Sequence, residues 1–441
     1  MQTKHNIRRA FRKEFSDWRV WGARSLVVAF AALAGLVVVG FTWLSEHAFE
    51  QFLALCAWHW WAPLLWTPLA TAAIVWLTRR YAAGAAGSGI PQVMAGLEPS
   101  VASHQLGLFV SLKLSIAKLV LTAAGFLAGL SLGREGPSVQ VAAGVMLAAR
   151  RWLPERSAVT AHGLLVAGGA AGIAAAFNTP LAGVMFAIEE LSRTPEQRSS
   201  GLLMAAIVLA GLMAVSVNGN ATYFGMIHAA GIDLSLLLPG LLVTLLSGLA
   251  GGLFSRLLLA SLSGSSPDWF SRMRLRWPVI FAAGCGLAIA GIGLLSGGAV
   301  NGSGYSHTRA MIDGSGHSPA IFFFFKFIAT WLTAWSGVPA GIFAPSLAIG
   351  AALGNDVAQL LAYPQASALI ALGMVGFLAA ATQAPLTSFI IVMEMVDGHA
   401  MVLSLMACAM MARTVARVLS PPLYPTLALA QMQRLPAAHS P

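Results

Sequence analysis

Residues 133–137 read Gly-Arg-Glu-Gly-Pro, two charged side chains boxed by glycine and proline between long apolar runs. Two further stretches share the design: Gly-Ser-Gly-Ile-Pro at 87–91 and Gly-Ile-Phe-Ala-Pro at 341–345. Proline in a first helical turn is preset for the helix and has no N–H to waste, while glycine lets backbone approach a ligand closely. The free N–H groups and positive dipole end of such a helix start favour an anion. Three converging starts would make a small anion site without a full positive charge, which suits release as well as binding. Each motif alone also fits an ordinary close-packed turn; three in one chain point to a site. A second chemical feature is the pair Glu189-Glu190 at the end of an apolar run. Intramembrane carboxylates usually mark a pathway.

Other chemistries lack support. Cys56, Cys285 and Cys408 stand alone in apolar sequence, and the ten histidines form no His-Glu-x-x-His pair. No Gly-x-Ser-x-Gly elbow is present. No metal, no cofactor and no enzymatic reaction are expected.

The elements that must hold these residues belong to a membrane. Of 441 residues, 57% are hydrophobic and 10% charged, against roughly a quarter charged in soluble domains. Residues 25–45 carry no charge, enough at ~1.5 Å per residue to cross a bilayer core of ~30 Å. A second span is predicted over 62–78, ending on Arg79 and Arg80. Lys4, Arg8, Arg9, Arg12, Lys13 and Arg19 precede the first span and Glu46 and Glu50 follow it, so the N-terminus is expected in the cytoplasm. The net charge of +10 is then topology, concentrated in short flanks such as Arg150, Arg151 and Arg156 or Arg272, Arg274 and Arg276. It forms no nucleic-acid face. Apolar segments at 139–149, 158–176, 181–188, 346–361 and 366–381 are short and interrupted by Gly and Pro. Irregular backbone at membrane depth is tolerated only where protein or a water-lined cavity covers it.

The chain also repeats itself. Residues 174–191 and 379–396 share a triple alanine, a Pro-Leu and a glutamate; Pro180 matches Pro385 and Glu189 matches Glu394, each 205 residues on. Gly87-Ser88-Gly89 returns as Gly302-Ser303-Gly304 after 215 residues, and 133–145 faces 341–353 after 208. Two related halves are expected at 25–225 and 226–420, preceded by a cytoplasmic segment at 1–24 and followed at 421–441 by a segment that holds Tyr424 and a short cytoplasmic C-terminal tail. Repeats of this kind are common in secondary transporters, with the site at mid-membrane on the repeat interface. Glu189 has a counterpart in Glu394 and is expected to be structural, holding a helix end or a backbone amide. Glu190 faces Met395 and is the better functional candidate.

Taken in order, "GSGIP", "GREGP", "GIFAP" and "AAAFNTPLAGVMFAIEEL" resemble the CLC family of chloride channels and chloride/proton antiporters over nearly the whole chain. The resemblance implies an all-α integral membrane protein, with two inverted-topology repeats of tilted and broken helices and a homodimer with one pore per subunit. It implies a multi-pass protein of a bacterial inner (plasma) membrane that exchanges chloride for protons, with a passive chloride channel as the alternative. Besides membrane lipid and its own second copy no partner is implied. The short stretch after the last apolar segment leaves no room for the cytoplasmic nucleotide-binding modules of many eukaryotic relatives.

Residue by residue, the resemblance makes Ser88, Gly89, Ile342, Phe343 and Tyr424 the chloride ligands, the two hydroxyls by their side chains and Ile342 and Phe343 by backbone N–H. Serine at 88 favours chloride, since nitrate-preferring members tend to carry proline there. Tyr424 is also placed where an interfacial belt tyrosine would be. Glu135 is the gate and proton acceptor: its carboxylate can take the anion's place, and protonated it can swing away. Glu190 is the internal proton-transfer group, because exchangers of the family typically carry glutamate there and channels an apolar residue. Gly87, Arg134, Gly136 and Gly341 support the turns, with Arg134 either raising the positive potential of the outer mouth or anchoring its own turn. Lys118 is expected to line a vestibule or pair with a carboxylate, and to be structural.

Overall fold

The computed structural model describes residues 18–154, 157, 159–192, 200–219, 222–225, 234–264, 268–315, 319 and 321–433. Most of the expected cytoplasmic segment 1–24, Arg156, Arg193, the start of the expected second half at 226–233 and the terminal residues 434–441 lie outside them. The described residues are overwhelmingly helical, and their only β pairings are two isolated bridges.

The first half runs through α1 (Trp18–Trp58), α2 (Ala62–Tyr81), α3 (Ile90–Leu97), α4 (Leu106–Phe109), α5 (Leu112–Leu127), α6 (Glu135–Ala148), α7 (Ala161–Phe177), α8 (Pro180–Phe186) and α9 (Ser200–Asn218). The second runs through α10 (Leu237–Ser263), α11 (Trp269–Arg276), α12 (Pro278–Leu295), α13 (Tyr305–Ile312), α14 (Ile321–Ser336), α15 (Phe343–Leu360), α16 (Ala366–Thr382), α17 (Pro385–Met395), α18 (Val402–Leu419) and α19 (Leu423–Met432). Among the described residues six segments are long and apolar enough to cross a membrane; α7, α14, α16 and α17 are shorter and apolar. Helix α1 is far longer than the uncharged stretch at 25–45, because neither Glu46 nor Glu50 breaks a helix and no proline or glycine stops it before His59. Helix α2 likewise carries through Arg79 and Arg80 to Tyr81. Three residues after Ser420 the chain enters α19, which buries Leu423 and Tyr424.

The halves are related by an exchange of equivalent contacts, as inverted-topology repeats require. Gly133 N–H donates to Gly341 O at 2.8 Å and Gly341 N–H returns to Gly133 O at 2.9 Å, an antiparallel bridge between equivalent glycines. Beside it Gly87 bridges Pro339, with Ala340 N–H donating to Gly87 O at 3.1 Å, while Gly302 N–H donates to Leu130 O at 3.0 Å. The turn before each central helix thus packs on the Gly-Ser-Gly turn of the opposite half.

Small residues let the central helices meet almost backbone to backbone. A Cβ on Gly172 of α7 would lie 2.5 Å from Ser138 O of α6, and one on Gly373 of α16 would lie 2.1 Å from Gly350 O of α15. Such contacts leave no lipid or water between the helices that carry the motifs. Helices α6, α7, α15 and α16 are accordingly buried almost end to end.

Candidate functional site

All three Gly/Pro motifs open helices, as their composition predicts. Gly89 is the N-cap of α3 at φ +106°, a conformation glycine tolerates, and a Cβ there would also strike Gly136 O at 2.7 Å. Pro91 stands in the first turn of α3, Glu135 opens α6 and Phe343 opens α15 after the N-cap Ile342. Arg134 is the N-cap residue of α6 and makes no side-chain cap bond, so its guanidinium is available for other contacts.

The starts converge. A Cβ on Gly136 would lie 2.3 Å from Ser88 Oγ and 3.4 Å from Gly341 Cα, which places Gly87-Ser88-Gly89, the first turn of α6 and the turn before α15 in direct contact. Ala344 N–H, in the first turn of α15, donates to Glu135 Oε2 at 3.4 Å. The carboxylate of the first half therefore rests on the helix start of the second. Glu135 is fully buried, and its Oε1 has no hydrogen-bond partner among the described residues.

Tyr424, 1% exposed, enters from the first turn of α19, its ring stacked on Phe343 with centroids 6.0 Å apart. Its phenol oxygen and the Ser88 hydroxyl are both buried and have no hydrogen-bond partner by geometry among the described residues. Two buried hydroxyls left open beside helix starts can donate to an anion and need not give up another partner to do so.

Two cavities meet this neck and share no lining residue. One of about 560 Å³ is lined by Glu46, Arg134, Tyr223, Asn301, Tyr305 and Arg309 among others. The other, about 120 Å³, reaches Ser88, Ile342 and Tyr424 past Arg274 and Gln431. Glu135 lines neither: its neighbour Arg134 lines the larger cavity, and its other neighbour Gly136 packs against Ser88, which lines the smaller one.

Arg134 proves to be both anchored and part of a mouth. Its Nη1 donates to Glu46 Oε1 at 2.8 Å and to Thr42 O at 3.4 Å, and its Nη2 to Tyr223 Oη at 3.2 Å. Sequence reasoning missed Glu46 and Tyr223. The only hint was an acidic residue at the end of an otherwise uncharged run.

The glutamate pair divides as the repeat argument requires. Helix α8 ends in a π-helical turn, Ala187–Leu191, that carries both residues. Glu189 accepts from Leu386 N–H at 3.1 Å and Thr387 N–H at 2.7 Å, the start of α17. Glu394 accepts from Leu181 N–H at 3.2 Å and Ala182 N–H at 2.8 Å, the start of α8. Each half caps the other's helix. Glu190 is half-buried in the same π turn, and Met395 has its place on regular α-helix. Four residues before Glu190, Phe186 of α8 meets Phe343 edge-on at 6.5 Å, next to Ala344, whose N–H reaches Glu135.

Lys118 is structural, as expected, but through other contacts: it lines neither cavity and, among the described residues, contacts no carboxylate; fully buried, its Nζ donates to Ala85 O at 2.8 Å and Gly87 O at 2.6 Å. Its counterpart Lys326 donates to Val300 O and Gly302 O, both at 2.8 Å. The polar backbone of a Gly-rich turn, which has no ladder of its own, is what the ammonium is there to satisfy.

With this geometry in hand, comparison with known proteins is informative. The family profile described as "Voltage gated chloride channel" matches residues 70–417. The H(+)/Cl(-) exchange transporter ClcA of Klebsiella pneumoniae subsp. pneumoniae is 32% identical over 423 residues, spanning 90% of this chain and 86% of the relative. The crystal structure of a slow cyanobacterial Cl-/H+ antiporter superimposes with a TM-score of 0.79 at 25% identity, covering 93% of this chain and 98% of that one. A eukaryotic CLC transporter shares the fold at a TM-score of 0.74 and 20% identity, covering 95% of this chain and 76% of its own.

Proposed function

This chain belongs to the voltage-gated chloride channel family, and from that premise we propose that it is a secondary transporter exchanging chloride for protons across a membrane. The observation that carries the reading is Glu135, a buried carboxylate resting on the start of α15 between two separate cavities. A helix start that accepts a carboxylate oxygen also accepts a halide, since both are compact anions answering the same N–H groups and dipole. Chloride and the charged form of Glu135 therefore compete for one position.

Protonation removes that competition. A neutral carboxyl gains little from the helix dipole, so it leaves the position to chloride and carries its proton toward the larger cavity. Ser88 and Tyr424 supply hydroxyl donors to the central ion, Gly89, Ile342 and Phe343 supply backbone, and Gly87, Gly136 and Gly341 keep the three turns close. Arg134 keeps the larger mouth positive. Glu190 takes protons from the cytoplasmic side and passes them to Glu135, with transient water completing the route past Phe186 and Phe343.

The fitting arrangement in the cell is a bacterial inner (plasma) membrane with the N-terminus in the cytoplasm, on the strength of the basic residues at 4–19 and of Arg79 and Arg80. The assembly we propose is a homodimer with a complete pathway in each subunit. The repeats then correspond to residues 25–225 and 226–420, with α19 completing the site of the first half. Simultaneous chloride and proton flux in liposomes reconstituted with the full chain tests the function. Chloride flux driven uphill by a proton gradient supports exchange; chloride current that ignores a pH gradient establishes a passive channel instead.

A further inference from the structure

Four successive carbonyls in the turn before Ser88 each accept a hydrogen bond from a buried side chain. Gln140 Nε2 of α6 donates to Gly84 O at 2.9 Å, and also to Phe109 O at 2.6 Å. Lys118 of α5 takes Ala85 O and Gly87 O, and Gln92 Nε2 of α3 donates to Ala86 O at 2.5 Å. Donors from three helices thus hold one short turn.

The equivalent turn of the second half is held differently. Lys326 takes Val300 O and Gly302 O, the counterparts of Ala85 and Gly87. Among the described residues the carbonyls of Ala299 and Asn301, the counterparts of Gly84 and Ala86, receive no side-chain donor. The reason is in the sequence: Gln140 corresponds to Ala348 and Gln92 to His307. The contacts verify the first correspondence, since a Cβ on Gly89 would meet Gln140 Cβ at 3.0 Å and one on Gly304 would meet Ala348 Cβ at 2.6 Å. The lysine is common to both halves, and the two glutamines belong only to the half whose serine stands against Gly136.

A carbonyl oxygen is the repulsive end of a peptide for an anion, and in a planar trans peptide fixing the C=O fixes the following N–H in the opposite direction. Pinning the carbonyls of residues 84–87 therefore fixes the amides of residues 85–88 and, with them, the seat of the Ser88 hydroxyl. We propose that Gln92 and Gln140 are positioning residues for anion selectivity, holding this turn so that Ser88 presents its hydroxyl and amide to chloride and discriminates against larger, flatter anions such as nitrate. The inference rests on the reading of Ser88 as a chloride ligand.

The test is the chloride-to-nitrate flux ratio in proteoliposomes, a ratio that does not depend on how much protein folds. Gln140→Met, near in volume and without donors, loses two bonds and Gln92→Met loses one. The ratio is expected to fall about two- to tenfold in Gln140→Met and less in Gln92→Met, the range set by net hydrogen-bond strength. Lys326→Met, which frees the turn of the other half, is expected to leave it unchanged. Ser88→Ala is measured alongside. A ratio unmoved by both glutamine variants while Ser88→Ala shifts it overturns the positioning role, as does an equal shift in Lys326→Met. If Ser88→Ala itself leaves the ratio unchanged, the assignment of Ser88 falls first.

Discussion

Glu135 of the first repeat accepts a hydrogen bond from the backbone of Ala344 in the second, 3.4 Å away, so a carboxyl group of one half is seated on the helix start of the other. On the proposed reading this group is the gate. Glu135→Gln keeps the size and removes the charge, and is expected to leave chloride flux open while abolishing proton flux and its pH dependence. Paired flux measurements in liposomes check this. A Gln variant that still drives protons uphill on a chloride gradient would falsify the gate assignment.

The reciprocal caps separate Glu189 from its neighbour. Glu189→Gln puts an amide where two N–H groups at the start of α17 need a carboxylate, and Glu394→Gln does the same at α8. Each is expected to destabilise the protein by about 1–3 kcal/mol, the cost of a poorly satisfied buried group, read as a lower melting temperature in detergent. Glu190→Gln is expected to keep chloride flux, slower and still pH-sensitive because Glu135 can still close, and to lose proton flux. Coupling that survives Glu190→Gln and vanishes in Glu189→Gln reverses the two roles.

Ser88 and Tyr424 bring hydroxyls without other partners to the neck. Neutral hydrogen bonds contribute about 0.5–1.5 kcal/mol each, so Tyr424→Phe is expected to weaken chloride binding by roughly two- to tenfold and to loosen coupling without abolishing transport. Ser88→Pro is expected to move preference from chloride toward nitrate. Calorimetric titration with each anion measures both, and unchanged affinities in both variants remove these residues from the site.

Arg134 is buried while its partner Glu46 is largely exposed, 8% against 59%. Glu46→Gln is therefore expected to cost little stability, about 0–1 kcal/mol, because Thr42 O and Tyr223 still hold the guanidinium. Arg134→Met removes the charge from the larger mouth and is expected to slow chloride entry there, most at low ionic strength where long-range attraction is least screened. Flux rates compared across a salt series decide the point; a salt-independent defect would mean that Arg134 acts only as an anchor.

How much of this was legible beforehand depends on the range of the interaction. The membrane class, the broken helices and the helix starts at residues 89, 135 and 343 follow from local chemistry: apolar runs without charge, and Gly/Pro at fixed offsets. The duplication is also a property of the string, and it marked Glu189 and Glu394 as structural because each half needs a cap for the helix start it presents to the other.

Most other features rest on contacts between segments about 30 to 200 residues apart, and no local pattern encodes them. The pairing of Arg134 with Glu46 needs α1 to continue past its uncharged core and lie beside α6. The position of Lys118 could not be guessed, because a buried lysine in sequence looks the same whether its partner is a carboxylate or two carbonyls. The roles of Gln92 and Gln140 came into view only when α3, α5 and α6 had closed around residues 84–87. Composition marked which residues could bind an anion. Tertiary packing decided which carbonyls beside them are held by buried side-chain donors, and an exposed peptide oxygen repels an anion as surely as a serine hydroxyl attracts it.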